Sequence, residues 1–193
     1  RLFFATILTL VFVNTGFSQP DPDSLRQVMN SNRPYDQQIN AAIKLVESYQ
    51  LKNFDSTIIE GDKALRLARK NTDSIAVAQL KRHIGVANYF SGKYDVAAKY
   101  LQEAIAILEK DKKNRSKLAP VYNDLAKLYR KTRDLDKALE NYSNANAIYR
   151  SLNDTSGIAM ILNESGVVYE YKYDYKEAVN RYTMSMHLAE KAG

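Results

Sequence analysis

The sequence predicts an all-α fold, a solenoid of about four helix pairs stacked in chain order. Three observations carry this reading. Apolar residues recur at spacings of 3, 4 and 7, the period of one helix face. The same register of small and aromatic residues returns every 40 or 41 residues. Glycine (7) and proline (4) are scarce, and no long polar tract breaks the pattern. A chain of 193 residues that is 45% hydrophobic buries a sizeable core, and one elongated domain is the natural count.

The register is clearest between Tyr122 and Tyr149. One helix face carries Tyr122, Leu125, Ala126 and Tyr129; a second carries Leu135, Ala138, Leu139, Tyr142, Ala145, Ile148 and Tyr149. Arg133-Asp134 marks the corner between them. Ala126 and Ala138 have no bulk to hold two helices apart, so a close antiparallel pair is expected. The set Tyr122, Leu125, Ala126, Tyr129, Ala138, Tyr142 and Ala145 resembles the tetratricopeptide repeat. The resemblance implies a right-handed α-solenoid.

The register recurs as Leu162, Gly166, Tyr169, Ala178, Tyr182 and Ser185, and earlier as Ile84, Gly85, Gly92, Tyr94, Ala97, Leu101 and Ala104. A degraded copy reads Leu45, Phe54, Thr57, Gly61 and Ala64, with Leu45 in place of a small residue and Gly61 in place of an aromatic. The usual period is about 34 residues, and HEAT or armadillo arrays run about 40–47. The residue pattern is the tetratricopeptide one, so the extra residues are assigned to longer helices and connections. Such lengthened repeats resemble those of kinesin light chains and bacterial peptide-pheromone receptors; a HEAT-like array is the alternative fold.

Residues 1–18 read as an export signal: Arg1 as the remnant of a basic start, an apolar run from Leu2 to Val13, then Gly16 and Ser18 before a cleavage point at Gln19. Twelve residues are too few to span a bilayer, which takes about 20. A membrane anchor is the alternative. The first residue is not methionine, so the numbering is read as starting inside the natural frame. The absence of cysteine excludes disulfides and lipid attachment through a cysteine. Residues 19–34 read as a linker with a short helix over 25–29, begun by Asp21-Pro22-Asp23-Ser24 and ended before Asn32-Arg33-Pro34. That helix is expected to cap the first repeat. The array then spans 35–193, in repeats of about 35–72, 73–114, 115–154 and 155–193. Its helices are expected at 35–50, 55–70, 73–91, 94–111, 116–132, 135–151, 156–172 and 175–192. Asn71-Thr72-Asp73 and Asn153-Asp154-Thr155 supply capping oxygens. The array is expected to continue past Gly193, since a solenoid ends on a capping element.

Catalytic chemistry finds no support. His83 and His187 lie far apart, and no metalloprotease, nucleophile-elbow or phosphate-loop motif is present. No enzyme activity, metal or cofactor is expected. Glu60, Asp62, Glu103 and Glu140 read as solvated helix faces. The net charge is +6, and the segment from Lys110 to Arg133 concentrates nine basic residues (Lys110, Lys112, Lys113, Arg115, Lys117, Lys127, Arg130, Lys131, Arg133) against Asp111 and Asp124. It reads either as solvated turn and helix surface or as a site for an anionic partner.

The resemblance implies that the first helix of each pair lines a concave groove that binds protein or peptide segments. Inward candidates are Arg82, His83, Val86 and Tyr89, then Asn123, Lys127 and Arg130, then Asn163, Val167 and Glu170. Asn123 and Asn163 are equivalent in successive repeats, and an amide can both donate to and accept from an extended backbone. The carboxylate clamp of chaperone-binding relatives is not reproduced. The expected function is a non-catalytic scaffold for a protein or peptide partner, acidic if the basic stretch takes part. No nucleic acid is expected, and membrane contact only through an uncleaved signal or a downstream segment. Localisation is expected to be periplasmic or secreted. The alternative is the input region of a longer signalling protein with a histidine kinase or DNA-binding output.

Overall fold

The computed structural model describes residues 21–110 and 112–192. The export reading of residues 1–18 lies outside the described residues, as does the linker before Asp21. The helices are α1 (Pro22–Met29), α2 (Tyr35–Tyr49), α3 (Phe54–Lys70), α4 (Ser74–Phe90), α5 (Tyr94–Leu108), α6 (Leu118–Lys131), α7 (Leu135–Ser151), α8 (Thr155–Tyr171) and α9 (Tyr175–Ala192). A 3-10 segment, Lys112–Lys117, leads into α6. No strand occurs among the described residues.

Helix starts follow their caps. The carboxylates of Asp21, Asp73, Asp154 and Asp174 accept from the amides of Ser24, Ala76, Gly157 and Glu177 at 2.8–3.2 Å. Asp21 starts α1 at Pro22, three residues earlier than expected. Five of the corners between helices are three residues long and share one closure. The amides of Asp73, Lys93, Asp134, Asp154 and Asp174 donate to the carbonyls of Ala68, Asn88, Tyr129, Tyr149 and Tyr169, each five residues back. Such a corner needs a left-handed residue just before it. Gly92 fills that place at φ 75°, and Thr72, Arg133, Asn153 and Tyr173 adopt it at 53–67°. The aspartates therefore act twice, with the amide closing one helix and the carboxylate capping the next.

The helices stack in sequence, each packed on the one before. Leu25 and Met29 of α1 are buried against Ile39, Ala42 and Val46, so α1 packs onto the first pair. A second core runs from α4 to α8, with Ala126 and Ala138 fully buried together with Tyr142 and Leu101. Gly61, in the degraded repeat, lies where a Cβ would meet Ile84 at 2.7 Å. The missing aromatic is thus replaced by a side chain inserted from α4.

Two expectations are corrected. Helix α5 ends at Leu108 rather than 111, and the chain passes through the 3-10 segment before α6. Glu60 is not solvated: it is buried beneath Arg26 (3.1 Å) and Lys63 (3.2 Å), tying α1 to α3.

Candidate functional site

Helices α2, α4, α6 and α8 form one surface, because α2 touches α4, α4 touches α6 and α6 touches α8, whereas α3, α5, α7 and α9 make no comparable contact with one another. The surface lined by the first helices is the concave one. A charged contact crosses it at each step. His83 Nδ1 donates to Gln50 Oε1 at 2.9 Å, and its Nε2 faces Glu47 at 3.5 Å. Arg82 binds Asp124 at 2.6 Å. Lys127 and Arg130 share Glu164, at 3.1 and 2.7 Å, and the Tyr142 hydroxyl donates to the same carboxylate at 3.5 Å.

His83, Asp124 and Glu164 occupy one register position at intervals of 41 and 40 residues. Each receives a partner from the neighbouring first helix. Contact with His83 holds the Glu47 carboxyl below the usual carboxylate range. Burial pushes the Asp124 carboxyl upward, with the Arg82 guanidinium pulling the other way. Burial and the nearby Glu164 together raise the Tyr142 hydroxyl.

The sequence-derived groove residues divide. Arg82, Lys127 and Arg130 are on the surface but are engaged in ion pairs. His83 is buried between Gln50 and Glu47, whereas His187 lies on α9 beside Glu190. Tyr89 is half-buried. Asn123 is buried, while Asn163 and Glu170 are exposed. The two asparagines are equivalent in register but not in surroundings, since α6 has a first helix on both sides and α8 on one. They do not form an open amide ladder.

The basic stretch is not one surface either. Helix α6 has 14 residues and is about 21 Å long. Residues 112–117 lie at its N-terminal end, Lys131 and Arg133 at the other, and Lys127 and Arg130 face Glu164. Arg133 lies over the Tyr171 ring, 4.2 Å from its centroid.

Sequence reasoning missed an apolar hollow in the concave face. It has a volume of about 230 Å³ and lies between the α2–α3 turn, α4 and α6. Leu51, Val86, Tyr89 and Phe90 form its apolar walls, with Gln50, Leu101, Asp124 and Lys127 completing it. Leu51 belongs to a polar corner, and Phe90 is the last residue of its helix, so neither stood out in a periodic pattern. Among the described residues, no group of three or more histidines and carboxylates could hold a metal ion. No described helix is long and apolar enough to cross a membrane.

Residues 117–191 match the family described as tetratricopeptide repeat. No curated protein sequence matches the chain. Solved structures with the same fold include BtubC (BKLC) from P. vanneervenii, with a TM-score of 0.76 and 20% identity over 88% of this chain and 70% of that one. A putative kinesin light chain of Podosopora anserina with nearly identical TPR-like repeats has a TM-score of 0.66 and 15% identity, covering 89% of this chain and 86% of its own. The apo form of RapI has a TM-score of 0.71 and 16% identity over 89% of this chain, which spans about half of RapI (48%). Residues 117–191 thus carry the sequence signature of tetratricopeptide repeats, and the helix pairs before them share the fold of TPR-like repeat structures.

Proposed function

We propose that the chain is a non-catalytic scaffold that binds a segment of another protein along its concave face. The observation that carries this is the surface itself. Four parallel first helices present one continuous face, joined by polar contacts at each step, with ion pairs at α4–α6 and α6–α8, and interrupted by an apolar hollow. Such a concave surface with a few fixed polar groups suits an extended or helical segment. The partner is a protein or peptide. We also propose that residues 1–18 direct export, which N-terminal sequencing of the native protein checks: an N-terminus at Gln19 supports it, and an intact apolar run refutes it.

A photo-crosslinking residue placed at Asn163, exposed on the groove side, tests the scaffold reading in the source cells. Lys99, exposed on α5, is the control on the opposite face. A discrete protein adduct from position 163 and none from position 99 is expected. Equal labelling from both positions, or labelling from position 99 alone, would refute binding in the groove.

A further inference from the structure

We infer that the hollow between the α2–α3 turn, α4 and α6 takes one bulky apolar side chain of a partner segment, with a carboxylate beside that side chain meeting Lys127. This rests on the groove reading and specifies which partner chemistry the groove selects.

The walls of the hollow are apolar and built to stay in place. Phe90 stacks on Phe54 with ring centroids 5.4 Å apart and planes 9° apart. Tyr89 meets Phe90 edge-on at 5.1 Å and tilts against Tyr94 at 6.0 Å. This aromatic group joins the α2–α3 corner to the α4–α5 corner, so the wall is fixed before any partner arrives. At the mouth, Leu51 is 74% exposed and Phe90 49%. Two large apolar side chains flanking a concavity of this kind mark an anchor site rather than ordinary surface. Val86 provides an apolar floor.

The polar side of the hollow sets the charge of what lies next to the anchor. Asp124 already has its cation, Arg82 at 2.6 Å. Lys127 and Arg130 have one carboxylate between them, Glu164. One positive charge is therefore in excess on the α6 wall. An incoming carboxylate can take Lys127 while Arg130 keeps Glu164. An incoming lysine or arginine would face Lys127 across the rim.

Phage-displayed random dodecapeptides, selected on the full chain, test this. Enriched sequences are expected to carry Leu, Ile, Met or Phe with Asp or Glu one or two positions away. A synthetic copy of the best sequence is then titrated calorimetrically against wild type, Leu51→Asp and Lys127→Gln. Circular dichroism confirms that both variants fold. Leu51→Asp should weaken binding by about tenfold or more, as for loss of a central anchor. Lys127→Gln should weaken it about threefold to tenfold, and replacing the peptide carboxylate by its amide should then cost nothing further. Undiminished binding to Leu51→Asp overturns the anchor assignment. If Asn163→Trp abolishes that binding, the groove reading survives without the hollow. If binding is indifferent to all three variants, or no sequence is enriched, both readings fall.

Discussion

Replacing Gly157 by alanine tests the stacking of the last two repeats at one atom. In an isolated helix this change is favourable by about 1 kcal/mol, because glycine is the poorer helix former. Here the added Cβ would stand 2.4, 2.6 and 2.7 Å from Cδ1, Cγ and Cε1 of Tyr149. Carbon atoms in good contact sit about 3.5–4.0 Å apart, so the ring or the helix must retreat by about 1 Å. Tyr149 is buried on α7 and belongs to the core that includes Ile148 and Ala145, so its ring has nowhere to go. Overpacking of this kind costs about 1–3 kcal/mol, and the rigid ring edge places this case near the top. Net of the helix gain, Gly157→Ala should destabilise by about 2 kcal/mol, lowering Tm by about 4–8 °C. Gly166→Ala is the internal control. Its Cβ meets Tyr182 at 2.5 Å, but Tyr182 is half-buried on α9 and can swing away. That variant should remain within about 1 kcal/mol of wild type. Urea unfolding followed by circular dichroism measures both. A Gly157→Ala protein as stable as wild type, or more stable, would show that Tyr149 is not wedged against α8 and would refute the packing argument.

Ala138→Leu places three extra carbons where the helix pair leaves no space, and a loss of about 1–3 kcal/mol is expected in the same assay; an unchanged midpoint would contradict the close pairing of α6 and α7. Glu60→Gln removes the charge that holds Arg26 and Lys63, so α1 should exchange its amide hydrogens faster while α6–α9 keep their protection, measured by mass spectrometry. Uniform change along the chain, or none, would argue against Glu60 as the tie between α1 and α3. Asp124 carries a pH prediction. Its folded-state pKa is raised by burial, so the folded protein takes up this proton more readily than the unfolded chain. The resulting contribution is fully present below the ordinary value of about 3.9 and is lost as pH rises through the folded-state value. Wild type should therefore gain stability relative to Asp124→Asn as pH falls from 7 toward 4; a gap that stays constant or moves the other way would show that the Arg82 pair outweighs burial.

The array was legible because its signals are periodic. Apolar spacing located the eight repeat helices, and the repeated Ala, Gly and Tyr positions located their contacts. The 40-residue period was also readable: α3, α4, α7 and α8 each have 17 residues, which accounts for much of the added length. The corners were less so. Gly92 advertises a left-handed residue, but Arg133 and Tyr173 adopt the same conformation without the glycine that would signal it. The site was the least legible part. Spacing showed that Asn123 and Asn163 are equivalent in register, yet burial depends on what stands on either side. The more informative series lay one residue further on, at His83, Asp124 and Glu164. It was overlooked because its three members differ in chemistry, and only the polar partner that each meets from the preceding first helix shows what they share.

That series links the shape of the groove to what the groove can bind. A partner that competes for Lys127 does not simply fill empty space; it enters a contact that also joins α6 to α8. Arg130 remains on Glu164 when Lys127 leaves, so the junction keeps one of its two ion pairs, and Tyr142 of α7 still holds the same carboxylate. At the preceding junction, Arg82 and Asp124 have no such spare, and displacing either would strand a charge at a buried position. Under the proposed docking, an incoming carboxylate would therefore displace Lys127 at α6–α8 more readily than it would part Arg82 from Asp124 at α4–α6. Lys127 faces the hollow from the α6–α8 junction, so binding there would leave the curvature of the array supported.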